Sequence, residues 1–365
     1  MGSTKSIHFL TNLQEFSKYK FEAKEFSSQE GEVVLQIDSF AFTGNNISYA
    51  FLGDSFGYWK FFPSQEEDYG IIPVWGFASV ISSKNPSVAE GERFYGYYPS
   101  GSHLLVQPGK VRPNGFADTM PHRSKLPGIY NFYTNLATDP MYTPESENFQ
   151  LIYRPLFSTS FLLEDFLYDK QYFASQRILL TSASSKTAIA LAYLIKKRKQ
   201  QENTDVQILG MTSEKNLAFV KDLGLYDEIL GYTEISHLQK QKTTIVDFAG
   251  NQELNRKLEE QLDETLQYLC LVGIVHGSSQ NDTSNSGRGK IFFAPAQMKK
   301  RSREWGLSKL QETLVLSYQG FASSTKEWLK FQEILGQEAF AKAYQAVLTG
   351  SSSADTGVVV KLSNS

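Results

Sequence analysis

Apolar and polar residues alternate along the first part of the chain and settle into a slower rhythm along the second. The run "EVVLQIDSFAF", Glu32 to Phe42, alternates with a period of two, the pattern of a strand with one face on a core. "VWGFASVIS" (Val74 to Ser82) reads as another strand, and "GERFYGYYPSGSHLLVQP" as two more around a Pro-Ser-Gly turn. The chain up to about Gln150 is expected to be β-rich, with Pro-bearing loops of weak signal from Pro108 to about Pro155.

From Arg177 strands and helices alternate. "RILLTS" leads into a helix from Ser185 to Lys199; "DVQILGMTS" is a strand, followed by the helix "EKNLAFVKDLG"; "EILGY" is short; "TTIVDFAG" is a strand; a helix spans Asn251 to Leu262; and "LQYLCLVGIVHG" is a strand. Apolar strands separated by helices require crossover connections, hence a parallel sheet covered on both faces. The pattern predicts an α/β, doubly wound fold. The segment "GSSQNDTSNSGRG" is expected to be a mobile surface loop. A helix near Lys326 to Leu348 and a closing strand, "TGVVVKLS", end the chain.

Composition narrows the partners. A net charge of -3 gives no reason to expect nucleic acid. The 26 Phe and 19 Tyr lie largely before residue 175, which fits either an aromatic core or an aromatic-lined cleft. Cys270 is the single cysteine, so neither an intrachain disulfide nor a cysteine-cluster zinc site can form. His8, His103, His122, His237 and His276 have no metal-ligand spacing, and no metal site is expected. No apolar run is long enough to span a membrane and no signal peptide opens the chain, so a cytoplasmic location is expected. Gly2 and Ser6 match the loose myristoylation pattern, which chance or a cloning scar also explains.

The turn after "RILL" is the chief functional signal. In a doubly wound sheet this turn presents backbone N–H groups and a helix N-terminus to a pyrophosphate, commonly with glycines. Here Thr181 to Ala188 reads TSASSKTA. Small side chains preserve close approach, Ser182, Ser184, Ser185 and Thr187 add hydroxyls, and Lys186 adds charge. A Ser-rich connection without a ligand is the alternative. The second strand ends in Gly210-Met211-Thr212-Ser213 with Lys215 behind it and no acid at its tip. That favours NADP over NAD, since an acid there would bind the ribose 2′-OH; a helix cap with nothing bound is the alternative.

With these residues in place, the whole order resembles the medium-chain dehydrogenase/reductase superfamily, in its zinc-independent quinone- and enoyl-reductase branch. "GEVVLQIDSFAFTGNNISYAFLGD" is similar to the opening strand of that family's GroES-like domain, "RPLFSTSFLLEDFL" to its helix with a Thr-Ala pair, and "TTIVDFAG" to its Asp-x-Val-Gly strand. "TSASSKTA", "NNISYA" and "FFAPAQMKKRSREWG" more closely resemble a subfamily known only as a domain of unknown function. The resemblance implies a GroES-like β-rich catalytic domain over residues 1–155, a Rossmann NADP-binding domain over 156–312, and a C-terminal helix and strand over 313–365 that return to the first. It also implies NADPH as cofactor, Thr159 and Ser160 near the nicotinamide, and Gly250 and Gly273 in the cofactor-binding set. Helix capping is the other reading of Thr159 and Ser160. A homodimer through Rossmann sheet edges is implied as well. Where zinc-dependent members carry Gly-His-Glu, this chain reads Pro73-Val74-Trp75-Gly76.

Without zinc, negative charge on a substrate oxygen must be met by hydrogen-bond donors. By that alignment Tyr49 is the candidate proton donor, with Asn46 orienting substrate or carboxamide and Thr43 and Asn45 beside them; packing and turn closure are the alternatives. His103 is a candidate acid or base, or a satisfied histidine. The run Lys299-Lys300-Arg301 with Arg303 fits an acidic ligand or a solvated helix face. The expected function is a zinc-independent NADPH-dependent reductase of a carbonyl or activated C=C in a small hydrophobic or acyl substrate. A non-catalytic NADP-binding sensor is the alternative. A P-loop-like nucleotide hydrolase stands third, since "SSKT" echoes a phosphate loop and Asp247 ends an apolar strand. No Gly-x-Ser-x-Gly elbow supports a serine hydrolase.

Overall fold

Strand-forming pairs build the first unit. A computed structural model describes residues 4–272 and 289–362. The chain opens with β1 (Thr4–Asn12), β2 (Tyr19–Phe26) and β3 (Val33–Ala41), followed by α1 (Gly44–Phe51). It continues through β4 (Tyr69–Gly70), β5 (Pro73–Ser83), β6 (Arg93–Pro99), β7 (His103–Val106), β8 (Pro108–Arg112), β9 (Gly115–Asp118) and β10 (Phe132–Asn135). Gly76 lies where β3 passes so closely that a Cβ would stand 2.6 Å from the Ser39 carbonyl oxygen, which is why a glycine interrupts so apolar a strand.

The segment expected as loops up to Pro155 ends instead in a long helix, α2 (Glu147–Asp169), with Pro155 inside it. Proline removes one amide donor and crowds the preceding turn. The apolar positions Leu151, Ile152, Leu156, Phe157, Leu163 and Leu167, all buried, hold the helix despite it.

The second unit follows: β11 (Arg177–Leu180), α3 (Lys186–Glu202), β12 (Gln207–Thr212), α4 (Leu217–Asp222), β13 (Glu228–Gly231), β14 (Thr243–Asp247), α5 (Gln252–Leu262), β15 (Leu266–Leu271), β16 (Gly289–Ile291), α6 (Ala294–Glu304) and α7 (Leu307–Thr325). Among the described residues its strands form one parallel sheet in the order β13-β12-β11-β14-β15-β16. That is the doubly wound Rossmann order, with its switch between β11 and β14. Apart from Gly289, the expected loop Gly277–Gly289 lies outside the described residues, as does Gly273.

Between α2 and β11 the chain makes a left-handed turn. Gln171, Tyr172, Phe173 and Ala174 have φ of 49°, 49°, 57° and 56°, each costing about 1–2 kcal/mol for a non-glycine residue. The stacking of Phe173 on Tyr268, 3.9 Å between centroids and 4° between planes, and the burial of Tyr172 offset part of that strain.

The chain then returns through β17 (Lys330–Leu335), α8 (Gly336–Leu348) and β18 (Thr356–Lys361). Where a helix was expected from Lys326, β17 pairs in parallel with β18, and the helix begins only at Gly336. β18 pairs antiparallel with β3, giving a nine-stranded sheet in the first unit, beside a three-stranded sheet β2-β1-β4. The two units comprise Met1–Ile152 with Lys330–Ser365, and Tyr153–Leu329; α7 therefore stays with the Rossmann unit. No described helix is long and apolar enough to cross a membrane.

Candidate functional site

In the second unit the candidate site begins where β11 ends. The turn achieves without glycine what glycine usually supplies: Ser182 adopts φ 49°, the left-handed region that side chains disfavour. Two tyrosines brace it. Ser182 N donates to Tyr232 Oη (3.0 Å), and Tyr226 Oη donates to the Ala183 carbonyl (2.8 Å). Ala183 N donates to the Met211 carbonyl at 2.9 Å. Gly210 makes room for this brace, since a Cβ there would lie 2.8 Å from Tyr226 and 3.0 Å from Ala183.

The hydroxyls divide into groups that build the turn and groups that are available to a ligand. Ser184, buried, accepts from Thr212 Oγ1 (3.1 Å) and Asn216 Nδ2 (2.9 Å). Ser185 is the N-cap of α3, its Oγ accepting from Ala188 N at 3.3 Å. Ser184, Ser185 and Thr212 thus hold the turn to the end of β12. The Thr187 amide, in the first turn of α3, makes no hydrogen bond to a described residue, and such amides are the usual anion donors of a helix N-terminus. Its carbonyl is fixed from behind by Ser160 Oγ at 2.8 Å. Lys186 and Ser213 are half-buried and Lys215 is exposed, beside the turn or at the tip of β12.

Thr159 and Ser160 sit inside α2, so neither caps a helix: their hydroxyls donate back to the carbonyls of Pro155 (3.1 Å) and Leu156 (3.1 Å). Gly250 has φ 63° in the turn after β14, and its amide donates to Asp247. Asp247 is fully buried and accepts from Thr181 Oγ1 (2.5 Å), Ala249 N (3.0 Å) and Asn255 Nδ2 (2.8 Å) as well. Burial pushes its carboxyl pKa up against the pull of those donors. Both oxygens are thereby committed to the protein, which removes the magnesium-binding role on which the hydrolase reading depended. No group of described residues clusters as a metal site.

In the first unit, Thr43 and Asn46 make the start of α1. Asn46 Oδ1 accepts from Thr43 N (2.8 Å) and Thr43 Oγ1 (3.2 Å), while its Nδ2 donates to the Pro73 carbonyl (3.0 Å). Both ends of the amide are engaged, and Asn46 is buried. One turn on, Tyr49 enters a cluster of rings, 4.7 Å from Tyr58 and 5.6 Å from Tyr97 between centroids. Trp75 Nε1 donates to its hydroxyl at 3.2 Å. Burial pushes its pKa up, with the neighbouring Tyr130 phenol adding to this, so the phenol is neutral and its proton available at pH 7. Tyr58 and Tyr130 join hydroxyls at 3.3 Å beside it.

His103 begins β7, half-buried, with Nδ1 2.9 Å from Ser102 Oγ; burial lowers its pKa. The basic run on α6 is neither a free anion site nor wholly solvated. Arg301, 8% exposed, meets Asp165 (2.6 Å), Asp169 (2.9 Å) and Glu304, and Lys300 meets Asp169 (2.6 Å).

The fold, a Rossmann sheet in one unit and a β-rich sheet in the other, is shared with solved structures. CurA from Vibrio vulnificus in complex with NADPH superposes with a TM-score of 0.58 at 12% identity, over 98% of this chain and 100% of that one. The quinone oxidoreductase from Coxiella burnetii gives 0.54 at 12%, over 99% and 100%. The yhdH oxidoreductase from Salmonella enterica in complex with NADP gives 0.52 at 14%, over 98% and 100%. At such identities the likeness is one of fold. The chain belongs to the family described as Protein of unknown function (DUF2855), whose model matches residues 40–353. No curated protein matches it.

The sequence did not reveal Tyr226, Tyr232 and Asn216, which shape the turn. "LGLYDEILGYTE" carries two tyrosines flanking a short strand, and only their pairing with a turn 43 and 50 residues earlier gives them a role.

Proposed function

We propose that this protein is an NADPH-dependent, zinc-independent reductase of a carbonyl or activated C=C in a hydrophobic or acyl substrate. The observation that carries the reading is the turn after β11: a left-handed Ser182 and, at the N-terminus of α3, a Thr187 amide with no partner among the described residues, the fit a diphosphate requires. Thr187, Lys186 and the small residues Ser182 to Ser185 would hold the diphosphate. Ser213 and Lys215, at and just beyond the tip of β12, would supply the hydroxyl and cation that a 2′-phosphate needs, while the buried Thr212 hydroxyl is spent on Ser184. Solved neighbours that bind NADPH or NADP support the same choice. When bound, the nicotinamide supplies a hydride.

The chain's own part is to hold and deliver a proton. The Tyr49 oxygen accepts from Trp75, which steadies the phenolate that forms when the phenol gives its proton to a substrate oxygen. The same proposal takes the protein as cytoplasmic and homodimeric. Titration of the purified protein with NADPH, followed by nicotinamide fluorescence, tests it: saturable binding is expected, and its absence at near-millimolar cofactor defeats the proposal.

A second reading, NADP binding without catalysis, is favoured by one observation: Asn46 and Thr43 are both committed to starting α1. Tight NADPH binding with no turnover of enones, quinones or aldehydes would select it.

A further inference from the structure

Far along α3 from the phosphate turn, the second unit contains a cleft of about 430 Å³. Arg198 on its wall lies eleven residues beyond Thr187, roughly 17 Å at 1.5 Å per residue, so the cleft and the turn are separate places. Its size lies in the range of small-molecule sites.

The chemistry of the cleft follows from which charges are already answered. Asp165 and Asp169, from α2, face Arg301, whose Nε and Nη2 donate to them at 2.6 and 2.9 Å. Arg198 is different. Its Nε and Nη2 fork onto Glu164, while Nη1 has no partner among the described residues. Lys309, exposed on the first turns of α7, meets no carboxylate among the described residues. Nor does the indole N–H of Trp305 find an acceptor among them. Arg198 and Arg301 are both answered by carboxylates, Glu164 and Glu304 outside the lining among them, so Lys309 is the cation of the lining without one among the described residues, and the uncommitted donors are Arg198 Nη1, Lys309 Nζ and the Trp305 indole N–H.

The walls are flat and apolar. The Arg198 guanidinium stacks 4.0 Å from the Tyr168 ring centroid and that of Arg301 stands 4.9 Å from the Trp305 ring. Such stacking fixes the plane of each guanidinium while leaving its outer face open. Tyr168 is itself held edge-on by Tyr172 (6.1 Å, 68°), which the left-handed turn Gln171–Ala174 puts in place. Strained backbone persists where the surroundings hold it, and ligand clamps are among such places.

We propose that this cleft binds an aromatic carboxylate, its anionic group on Lys309 and Arg198 and its ring against Trp305 and Tyr168. The site needs neither NADPH nor turnover. Titration of the full chain with benzoate, with butyrate and inorganic phosphate in parallel, followed by calorimetry and tryptophan emission, tests it. Expected are saturable benzoate binding that weakens with added salt, a roughly tenfold or greater loss of affinity in Lys309→Gln, as for a charge-assisted hydrogen bond, and loss of the emission change, but not of the heat, in Trp305→Phe. Lys309 is exposed, so its variant leaves the fold intact. Absence of saturable heat, or equal affinity in Lys309→Gln, overturns the site. Phosphate or butyrate binding as tightly as benzoate overturns the aromatic carboxylate, and displacement of benzoate by NADPH overturns its separateness.

Discussion

The Thr181 hydroxyl donates to Asp247 at 2.5 Å and accepts from the amides of Phe248 (2.9 Å) and Ala249 (3.1 Å). Thr181 and Asp247 end neighbouring parallel strands at the switch of the sheet, so this one side chain sets how the two following turns stand together. Thr181→Val keeps the shape and removes the hydroxyl. It leaves the Phe248 amide without its acceptor and the buried Asp247 carboxylate one donor short, while the Ala249 amide keeps Asp247, and it is expected to lower stability by about 1–3 kcal/mol. Urea denaturation measures this, and an unchanged midpoint would refute the role.

Ser182 gives the opposite sign. A non-glycine residue at φ 49° carries strain that glycine relieves, against the greater freedom glycine has in the unfolded chain. The melting temperature of Ser182→Gly is expected to stay level or rise, by up to about 1 kcal/mol in stability, and that of Ser182→Val to fall. A drop in Ser182→Gly would mean that the Ser side chain itself sustains the turn.

These two residues also mark how far the sequence could be read. The strand and helix around them were legible because period, cap and turn lie within some twenty consecutive residues: Ser185 caps α3 as its position before the apolar run implies. What holds the turn was not legible, because Tyr226, Tyr232 and Asn216 come from later elements and act through tertiary contact. The same division runs through the fold. β3, β5 and β6 follow their apolar patterns within a residue or two. The short β8, β9 and β10 hide among Pro, Gly and Asn, and α2 hides behind Pro155. β17 read as helix because only Ile334 of its residues is buried, leaving no alternation to betray a strand that β18 stabilises.

Arg123 is fully buried, with Nη1 donating to Asp118 (2.9 Å) and Tyr133 Oη (2.8 Å), Nε to Asn131 (3.1 Å) and Nη2 to the Tyr130 carbonyl (2.9 Å). It thereby places the loop that brings Tyr130 to the Tyr49 cluster. Arg123→Met leaves Asp118 charged and buried, and a loss of about 3–5 kcal/mol is expected. Restoring neutrality with Asp118→Asn in the same chain should recover part of it. Chemical denaturation of both variants tests the pair, and additive losses would contradict the coupling.

His8 predicts a pH effect. Burial is the largest cause lowering its pKa from 6.5 to about 4, and its Nε2 lies 3.0 Å from Ser6 Oγ. A depressed histidine stays neutral in the folded chain while the unfolded chain takes up a proton. Stability from this group is therefore present above pH 6.5 and is lost as pH falls from there towards 4, by at most about 3 kcal/mol. Thermal melts of wild type and His8→Gln across that window should converge in slope only if His8 is not the source.

Tyr49 carries the last prediction. Its oxygen accepts from Trp75 Nε1 at 3.2 Å within a buried ring cluster, so Tyr49→Phe removes the candidate proton and leaves the indole N–H without its acceptor. A modest loss of stability, about 1–3 kcal/mol, is expected from that orphaned donor. Turnover of an enone or quinone with NADPH should fall about 10²–10⁴-fold, the usual share of a general acid, with NADPH affinity unchanged, because Tyr49 lies in a different unit from the phosphate turn. Trp75→Phe keeps the Tyr49 proton but loses the donor that steadies its phenolate, so turnover should fall less. Full activity in Tyr49→Phe would assign the tyrosine to packing alone.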